Sequence, residues 1–281
     1  MGYEQISYRV EDRIATITLQ RAQARNGYTL LMANELADAL GQAQADDDVR
    51  VVVLTGAGAD FCVGADLSGG ALDVVEAGPD DPAWVEPATR VTRPMFNLDK
   101  PVIAAVRGAA VGVGSTMILP ADYRLAATDS RFGFVFSRRG LYPEGGSTWF
   151  LPRLVGMGHA MDWMVSGRLI SADEALAAGL VHSLHDPEDV LPRAYELARE
   201  LIAKTAPVST AVIRQALYRM SALGSPEPAF VLDSQLIASC ASSADAVEGV
   251  VSFLQRRAPE FTSTVSKDLP DFLPWHVDMP S

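Results

Sequence analysis

The sequence is poor in cysteine and in positive charge. Its two cysteines, Cys62 and Cys240, lie far apart, which is typical of free, mostly buried thiols rather than of a disulfide framework. Lys and Arg number 23 against 35 Asp and Glu, and the net charge over the 281 residues is −12. A nucleic-acid or anionic-membrane binder needs the opposite sign over at least one face, so we expect neither partner.

Segments that would direct the chain to a membrane are also absent from the sequence. The N-terminus has no basic stretch followed by an apolar one, as a secretory signal would require. The least polar segment, residues 108–121, contains Ser115 and Thr116 and is shorter than the roughly 20 residues that span a bilayer. We therefore expect a cytoplasmic protein.

Familiar cofactor and nucleophile motifs are missing as well. The GxG pairs at residues 56–58 and 112–114 lack the third glycine of a dinucleotide-binding loop, and no Gly-Lys-Ser or Gly-Lys-Thr follows any glycine run. Ser147 does not lie in a GxSxG context. His182 and His185 fall in a polar segment that is typical of a solvated turn, so the sequence predicts no metal site.

What the sequence does contain is the pattern of a layered α/β protein. Hydrophobic residues make up 48% of the chain, which is enough for a large core. Alternation predicts a strand at residues 15–19, and uninterrupted apolar runs predict buried strands at 51–54, 102–106 and 123–127, with an apolar helix between the last two. Helical periodicity covers residues 30–40, with Thr29 as a cap, and 190–204, 207–223 and 233–257. Strands that alternate with helices favour parallel pairing.

Two segments have no regular periodicity. Residues 68–100 are rich in Gly, Pro, Asp and Glu, and we interpret them as a lid or a variable loop. The tail beyond residue 259 carries Phe272, Leu273 and Trp275 among prolines. Such apolar residues predict packing onto the body of the protein or onto a neighbouring subunit.

Glycine-rich loops follow two of the predicted strands. One loop covers residues 56–67, and the other leads to Gly112 and Val113 at the start of a helix. Backbone N–H groups at the start of a helix have no internal acceptor, and two N–H groups converging on one oxygen would form an oxyanion hole. Either loop alone is more typical of a simple tight turn, so spacing leaves both interpretations open.

Several ordered segments resemble the crotonase family, also called enoyl-CoA hydratase/isomerase. They are residues 56–67, 100–114, 132–133, 140–147 and 167–175. The resemblance covers essentially the whole chain and implies an α/β fold with a ββα spiral core, placed at residues 1–200, and a helical trimerisation region at 201–260, followed by a tail at 261–281. It also implies an acyl-CoA thioester substrate without a further cofactor, and a homotrimer or homohexamer.

The resemblance assigns site residues by position. It places the two oxyanion donors at the N–H groups of Ala65 and Val113, where valine replaces the usual glycine. It places the substrate beside Arg25, Asp66, Leu67, Gly112, Phe136 and Tyr142. Because CoA is polyanionic and the chain is acidic, we expect local basic groups such as Arg25, Lys100 or the Lys267 region to attract its phosphates.

The acid/base residues depart from the family pattern. The two glutamates that hydratases of the family use fall here on Thr116 and Phe136, and neither side chain can act as a base at neutral pH. The resemblance instead offers Glu144, which follows Pro143 where some isomerases of the family carry a glutamate. Apolar walls at Phe136, Tyr142 and Trp149 would raise its pKa.

Three functions follow from this pattern. The first is isomerisation of 3-enoyl-CoA to 2-enoyl-CoA through the single base Glu144. The second is hydration of enoyl-CoA with Glu144 alone handling water. The third is a non-catalytic acyl-CoA-binding protein that retains the fold, since a fold does not fix a function.

Overall fold

Two β-sheets form the centre of the protein in the computed structural model, which describes residues 2–68, 84–241 and 243–277. The strands are β1 (Ile6–Glu11), β2 (Ile14–Leu19), β3 (Val51–Gly56), β4 (Val102–Val106), β5 (Ala109–Val111), β6 (Tyr123–Ala127), β7 (Arg131–Gly133), β8 (Leu169–Ser171) and β9 (Ser183–His185). The larger sheet has the order β1-β2-β3-β4-β6-β9, and the smaller sheet has the order β5-β7-β8.

Helices cover the sheets and make up the C-terminal part. They are α1 (Leu30–Ala45), α2 (Thr89–Asn97), α3 (Val113–Thr116), α4 (Ser147–Ser166), α5 (Ala172–Ala177), α6 (Val190–Lys204), α7 (Pro207–Met220), α8 (Glu227–Cys240), α9 (Ala244–Gln255), α10 (Val265–Asp268) and α11 (Pro274–Val277). Short 3-10 helices occupy Ala22–Ala24 and Ser137–Arg139.

The strands follow one another in a repeating order. A strand of the larger sheet is followed by one of the smaller sheet and then by a helix in β4–β5–α3 and again in β6–β7–α4. This is the ββα spiral that the resemblance implies. The antiparallel pair β1–β2 stands at one edge, and the other neighbours in the larger sheet pair in parallel, which confirms the predicted pairing.

The larger sheet is covered on both faces. In β3, Val52 and Leu54 join the cluster that contains Leu36 of α1, whereas Val51 and Val53 join the cluster that contains α6. Successive side chains of a strand point to opposite faces, so a strand covered on both sides reads as an uninterrupted apolar run. The buried strands predicted at residues 51–54, 102–106 and 123–127 are confirmed.

Other expectations need correction. The segment predicted as a loop at 68–100 includes helix α2, and its residues 69–83 lie outside the described residues. The single helix predicted at 233–257 is two helices, because the Ser243 side chain accepts a hydrogen bond from Ala246 N and begins α9. The apolar helix predicted between β4 and β6 is reduced to α3, preceded by β5. Residue 200, where the spiral core is placed to end, lies inside α6, and the division into core, helical region and tail stays a prediction.

The tail and the cysteines divide between buried and exposed positions. Leu273 and Trp275 are buried against α7 and α8, whereas Phe272 is more than one-third exposed. Both cysteines are free; Cys62 is buried as expected, but Cys240 is exposed.

Within the described ranges no single helix is long and apolar enough to cross a membrane. Helices α8 and α9, bent by 75° at their junction, meet that test only as a pair.

Candidate active site

The two glycine-rich loops lie side by side. Cys62 and Ala110 form an isolated parallel bridge, in which Val111 N donates to Cys62 O over 2.9 Å. Ala65 follows Cys62 by three residues, and Val113 follows Ala110 by three residues. A fixed backbone register therefore leads the chain to both predicted donor positions.

The N–H groups of Ala65 and Val113 are free to bind a ligand. Neither donates a hydrogen bond to another residue in the part of the chain that the structure describes. Val113 is the first residue of α3, so its N–H has no acceptor within the helix. The residue before each donor is a glycine with a positive φ, 57° at Gly112 and 102° at Gly64. Valine is therefore tolerated at position 113 without strain.

A cavity of about 860 Å³ opens beside these donors. It brings together the predicted site residues Arg25, Ala65, Leu67, Gly112, Val113, Phe136, Tyr142 and Glu144. Phe136 is 5% exposed and forms part of the wall, whereas Tyr142 is 88% exposed and stands at the rim. The walls are mainly apolar, which suits the acyl part of a ligand.

Glu144 lies in the turn before α4, and its carboxyl group faces this cavity. Its side chain is half-buried. Burial, and secondarily the negative charge of Glu86, raise the pKa of Glu144 to about 7. A carboxyl with this pKa is poised to take and return a proton near neutral pH.

The two positions of the hydratase glutamates lie close to Glu144 but carry no base. Thr116 is fully buried, and its Oγ1 has no hydrogen-bond partner among the described residues. A Cβ on Gly145 would come within 2.6 Å of Thr116 Cγ2, so the Glu144 turn rests directly against this threonine. A glutamate side chain at position 116 would need space that this turn now occupies.

Three predicted contacts lie elsewhere. The Asp66 carboxylate turns away from the cavity to Arg21 Nη2, at 2.7 Å. Trp149 lines a separate cavity of about 630 Å³ instead of the wall beside Glu144. Lys100 is buried, and its Nζ donates to the carbonyl of Ala43 over 2.6 Å. It is thus unavailable to CoA, and that expectation is wrong.

Other basic groups reach the cavity. Arg25 lines it while its Nε donates to Asp60 over 2.7 Å, but Lys267 on α10 does not line it. Three further arginines, Arg131, Arg138 and Arg139, also line the cavity. Sequence reasoning missed these arginines because exposed basic residues in a short strand and a turn carry no periodic or motif signal.

Glu86 is the most important residue that sequence reasoning missed. It lines the same cavity as Glu144 and precedes α2. The segment around Glu86 has no regular periodicity in the sequence, and no spacing rule links residue 86 to residue 144. The proximity of the two carboxyl groups arises only from the tertiary fold.

The segment around the two histidines is solvated in part: His182 is exposed and lies in a bend, and a turn follows at residues 187–189. His185 lies in β9. His182 Nδ1 accepts a hydrogen bond from Arg124 N over 3.1 Å, and its ring lies 5.6 Å from that of Tyr123. Over the described ranges no group of three or more His, Cys, Asp or Glu side chains is arranged to hold a metal ion.

Sequence comparisons relate the chain to known proteins. The sequence profile of the family described as Enoyl-CoA hydratase/isomerase matches residues 9–264. The enoyl-CoA hydratase ACTT3 of Alternaria alternata is 38% identical over 255 residues, which cover 90% of this chain and 84% of that protein. The 1,2-epoxyphenylacetyl-CoA isomerase of Escherichia coli (strain K12) is 36% identical over 254 residues, covering 90% and 96%.

Solved structures show the same similarity in three dimensions. The crystal structure of an enoyl-CoA hydratase from Polaromonas sp. JS666 superimposes with a TM-score of 0.84 at 28% identity, covering 92% of this chain and 99% of that one. The spiral core, the paired loops and the extent of these matches lead to one assignment. The chain belongs to the enoyl-CoA hydratase/isomerase family and is an enzyme of the crotonase superfamily.

Proposed function

We propose that this enzyme isomerises 3-enoyl-CoA to 2-enoyl-CoA, with Glu144 as its single acid/base group. The observation that carries the proposal is a carboxyl group, with a pKa of about 7, that shares a cavity with two backbone N–H groups that have no acceptor among the described residues. The positions of the two hydratase glutamates hold Thr116 and Phe136. A one-base reaction fits this arrangement better than a reaction that needs two carboxylates.

The proposed reaction moves one proton. The N–H groups of Ala65 and Val113 donate to the thioester oxygen, and ionised Glu144 removes a proton from C2. The electron pair of the C2–H bond forms the C1–C2 double bond of a dienolate, while the electron pair of the carbonyl double bond moves onto the oxygen between the two donors. Protonated Glu144 then returns the proton to C4, which completes the shift of the double bond.

The charges of the cavity support a CoA thioester. The chain is strongly acidic overall, yet Arg25, Arg131, Arg138 and Arg139 all line this one cavity. Such a local excess of arginine offsets the unfavourable global charge for the phosphates of CoA. The apolar walls suit the acyl chain.

Hydration by Glu144 alone is the second candidate. The name of the relative from Alternaria alternata, at 38% identity, favours it. The two reactions differ in whether water adds across the double bond. The non-catalytic alternative loses support because the relatives are named as enzymes.

Product analysis separates the two candidates. We expect 3-enoyl-CoA to be converted to 2-enoyl-CoA, with no 3-hydroxyacyl-CoA formed from either isomer. Both substrates are incubated with the same enzyme preparation and the thioesters are resolved by chromatography and mass spectrometry. Formation of 3-hydroxyacyl-CoA as the main product from 2-enoyl-CoA would overturn the isomerase assignment in favour of the hydratase.

We also propose that the helical C-terminal part joins subunits into a homotrimer or a homohexamer. Helices α8 and α9 expose large apolar side chains, including Phe230 at 58%, Ile237 at 69% and Phe253 at 81%. Exposed apolar surface of this kind is typical of a subunit interface.

Charge introduced at this surface should dissociate the oligomer. We expect Phe253→Asp to shift the sedimentation mass from three or six times 30.1 kDa towards a single chain, because a buried unpaired carboxylate is costly. The control Val10→Asp changes an exposed valine, 41% accessible on β1, and should leave the mass unchanged. A monomeric wild-type enzyme would contradict the proposal.

A further inference from the structure

Glu86 is held in place by hydrogen bonds at both oxygens. Its Oε2 accepts from Ala88 N over 2.6 Å, and its Oε1 accepts from Thr89 N over 2.8 Å and from Gly145 N over 2.7 Å. The Thr89 hydroxyl donates to the same oxygen. The carboxylate therefore caps the start of α2 and reaches across the cavity wall to the turn that carries Glu144.

The bond to Gly145 matters because that turn is tightly constrained. Gly145 has a left-handed backbone, with φ of 58°, and a Cβ there would collide with Thr116 Cγ2. The turn is thus pressed against α3 on one side and tied to Glu86 on the other. The position of the Glu144 carboxyl over the cavity depends on both constraints.

Glu86 is unsuited to be the base itself. Three donors converge on its Oε1, those of Thr89 N, Thr89 Oγ1 and Gly145 N, and Ala88 N donates to its Oε2. Protonation would remove the negative charge that strengthens these hydrogen bonds at the start of α2 and at Gly145. Any effect of Glu86 on the reaction must therefore act through Glu144.

We propose that Glu86 is a positioning residue, which fixes the Glu144–Gly145 turn over the cavity and supplies the negative charge that the Glu144 carboxyl faces. This inference rests on the proposed role of Glu144 as the acid/base group. It adds to that role a second carboxylate that touches neither the substrate nor the reacting atoms.

The other titratable groups around Glu144 do not supply this negative charge. Tyr28 and Cys62 are buried, and burial raises the pKa of both, that of Cys62 to about 12, so both are neutral at pH 7. Arg90 on α2 donates to Asn34 Oδ1 over 3.0 Å. Arg138 and Arg139 line the cavity but are exposed to solvent, which screens their charge. Glu86 is the charged group that raises the pKa of Glu144, after burial.

The test compares three variants by the titration of Glu144. Glu86→Gln removes the charge but keeps an oxygen for Gly145 N, whereas Glu86→Asp keeps the charge but shortens the reach. The matched control is Glu35→Gln, because Glu35 also holds two backbone N–H groups, those of Glu4 and Gln5 at 2.7 and 2.9 Å, and lies outside the cavity. The Glu144 midpoint is read by carbon-13 NMR of glutamate carboxyls, with Glu144→Gln identifying the signal.

We expect Glu86→Gln to lower the midpoint by about half a pH unit or more, because a like charge close to a carboxyl disfavours its ionised form. The acid limb of kcat/KM should move with it. Glu86→Asp should leave the midpoint near that of wild type while kcat falls, and Glu35→Gln should leave both unchanged.

A midpoint that stays the same in Glu86→Gln, or that moves equally in Glu35→Gln, would overturn the proposal. The NMR titration does not depend on turnover. If product analysis rejects isomerisation, the titration therefore still decides the relation between Glu86 and Glu144. The two failures remain distinguishable.

Discussion

Glu144→Gln should lower kcat for the isomerisation of 3-enoyl-CoA by about 10²–10⁴-fold, the range that a positioned general base contributes. Glutamine has nearly the same size but cannot accept the proton from C2. The N–H groups of Ala65 and Val113 are backbone groups and remain, so affinity for the thioester should change little. The loss should therefore appear in kcat rather than in KM.

Steady-state kinetics with 3-enoyl-CoA checks this result. Glu188→Gln serves as the control, because Glu188 is an exposed carboxylate before α6, outside the residues that line the cavity. Circular dichroism should show the same fold in both variants. A kcat for Glu144→Gln within about twofold of wild type, against the range given for a general base, would sink the assignment of Glu144.

Arg214→Ala should destabilise the protein by about 3–5 kcal/mol, the cost of breaking a buried ion pair by removing one partner. Arg214 lies on α7 and is 5% exposed. Its Nε donates to Asp122 Oδ2 over 2.8 Å, and Nη2 donates to Met95 O over 2.8 Å. Its Nη1 also donates to Phe96 O over 3.0 Å. One guanidinium thus connects α7, the end of α2 and the segment before β6.

Urea unfolding at a fixed protein concentration measures this loss. Arg193→Ala is the control, since Arg193 pairs with Glu196 at the surface, where the two side chains are 54% and 58% exposed. An exposed pair of this kind contributes at most about 1 kcal/mol. Equal losses in the two variants would show that the Arg214 network does not stabilise the fold beyond a surface ion pair.

The elements predicted best from the sequence are those that keep the same pattern of burial along their whole length. The helix predicted at residues 190–204 has those bounds as α6, because one face is buried along its whole length. Thr29 caps α1 as expected, accepting from Met32 N over 3.1 Å. Strands covered on both faces also give a clear signal, since nearly every residue is apolar.

Short or interrupted elements escape such reasoning. The strands of the smaller sheet, β5, β7 and β8, have three residues each, too few to establish a period of two. Helix α4 contains Pro152 and a non-helical Gly156 with φ of 76°, so its periodicity breaks in the middle. Helix α2 carries Pro94 in a segment otherwise typical of a loop.

Some residues of the candidate site can be predicted from sequence motifs, and others cannot. Ala65, Val113 and Glu144 follow from ordered motifs, and the cavity brings them together. Glu86 and Arg214 act through partners 59 and 92 residues away in the sequence. Local propensity has no access to contacts at that separation, so only the folded chain reveals them.

The bridge between Cys62 and Ala110 fixes the proposed oxyanion site through the number of residues in each loop rather than through the identity of a side chain. Each donor is reached by counting three residues from a hydrogen-bonded pair. Substituting a side chain at either donor position leaves that count intact, as valine at position 113 illustrates. We expect that inserting or deleting a single residue in either loop would turn one N–H away from the oxygen that we propose the two groups share. The side chain of Val113 packs in the hydrophobic core, so packing restricts which residue stands there, whereas the proposed donor is supplied by the backbone whatever that residue is.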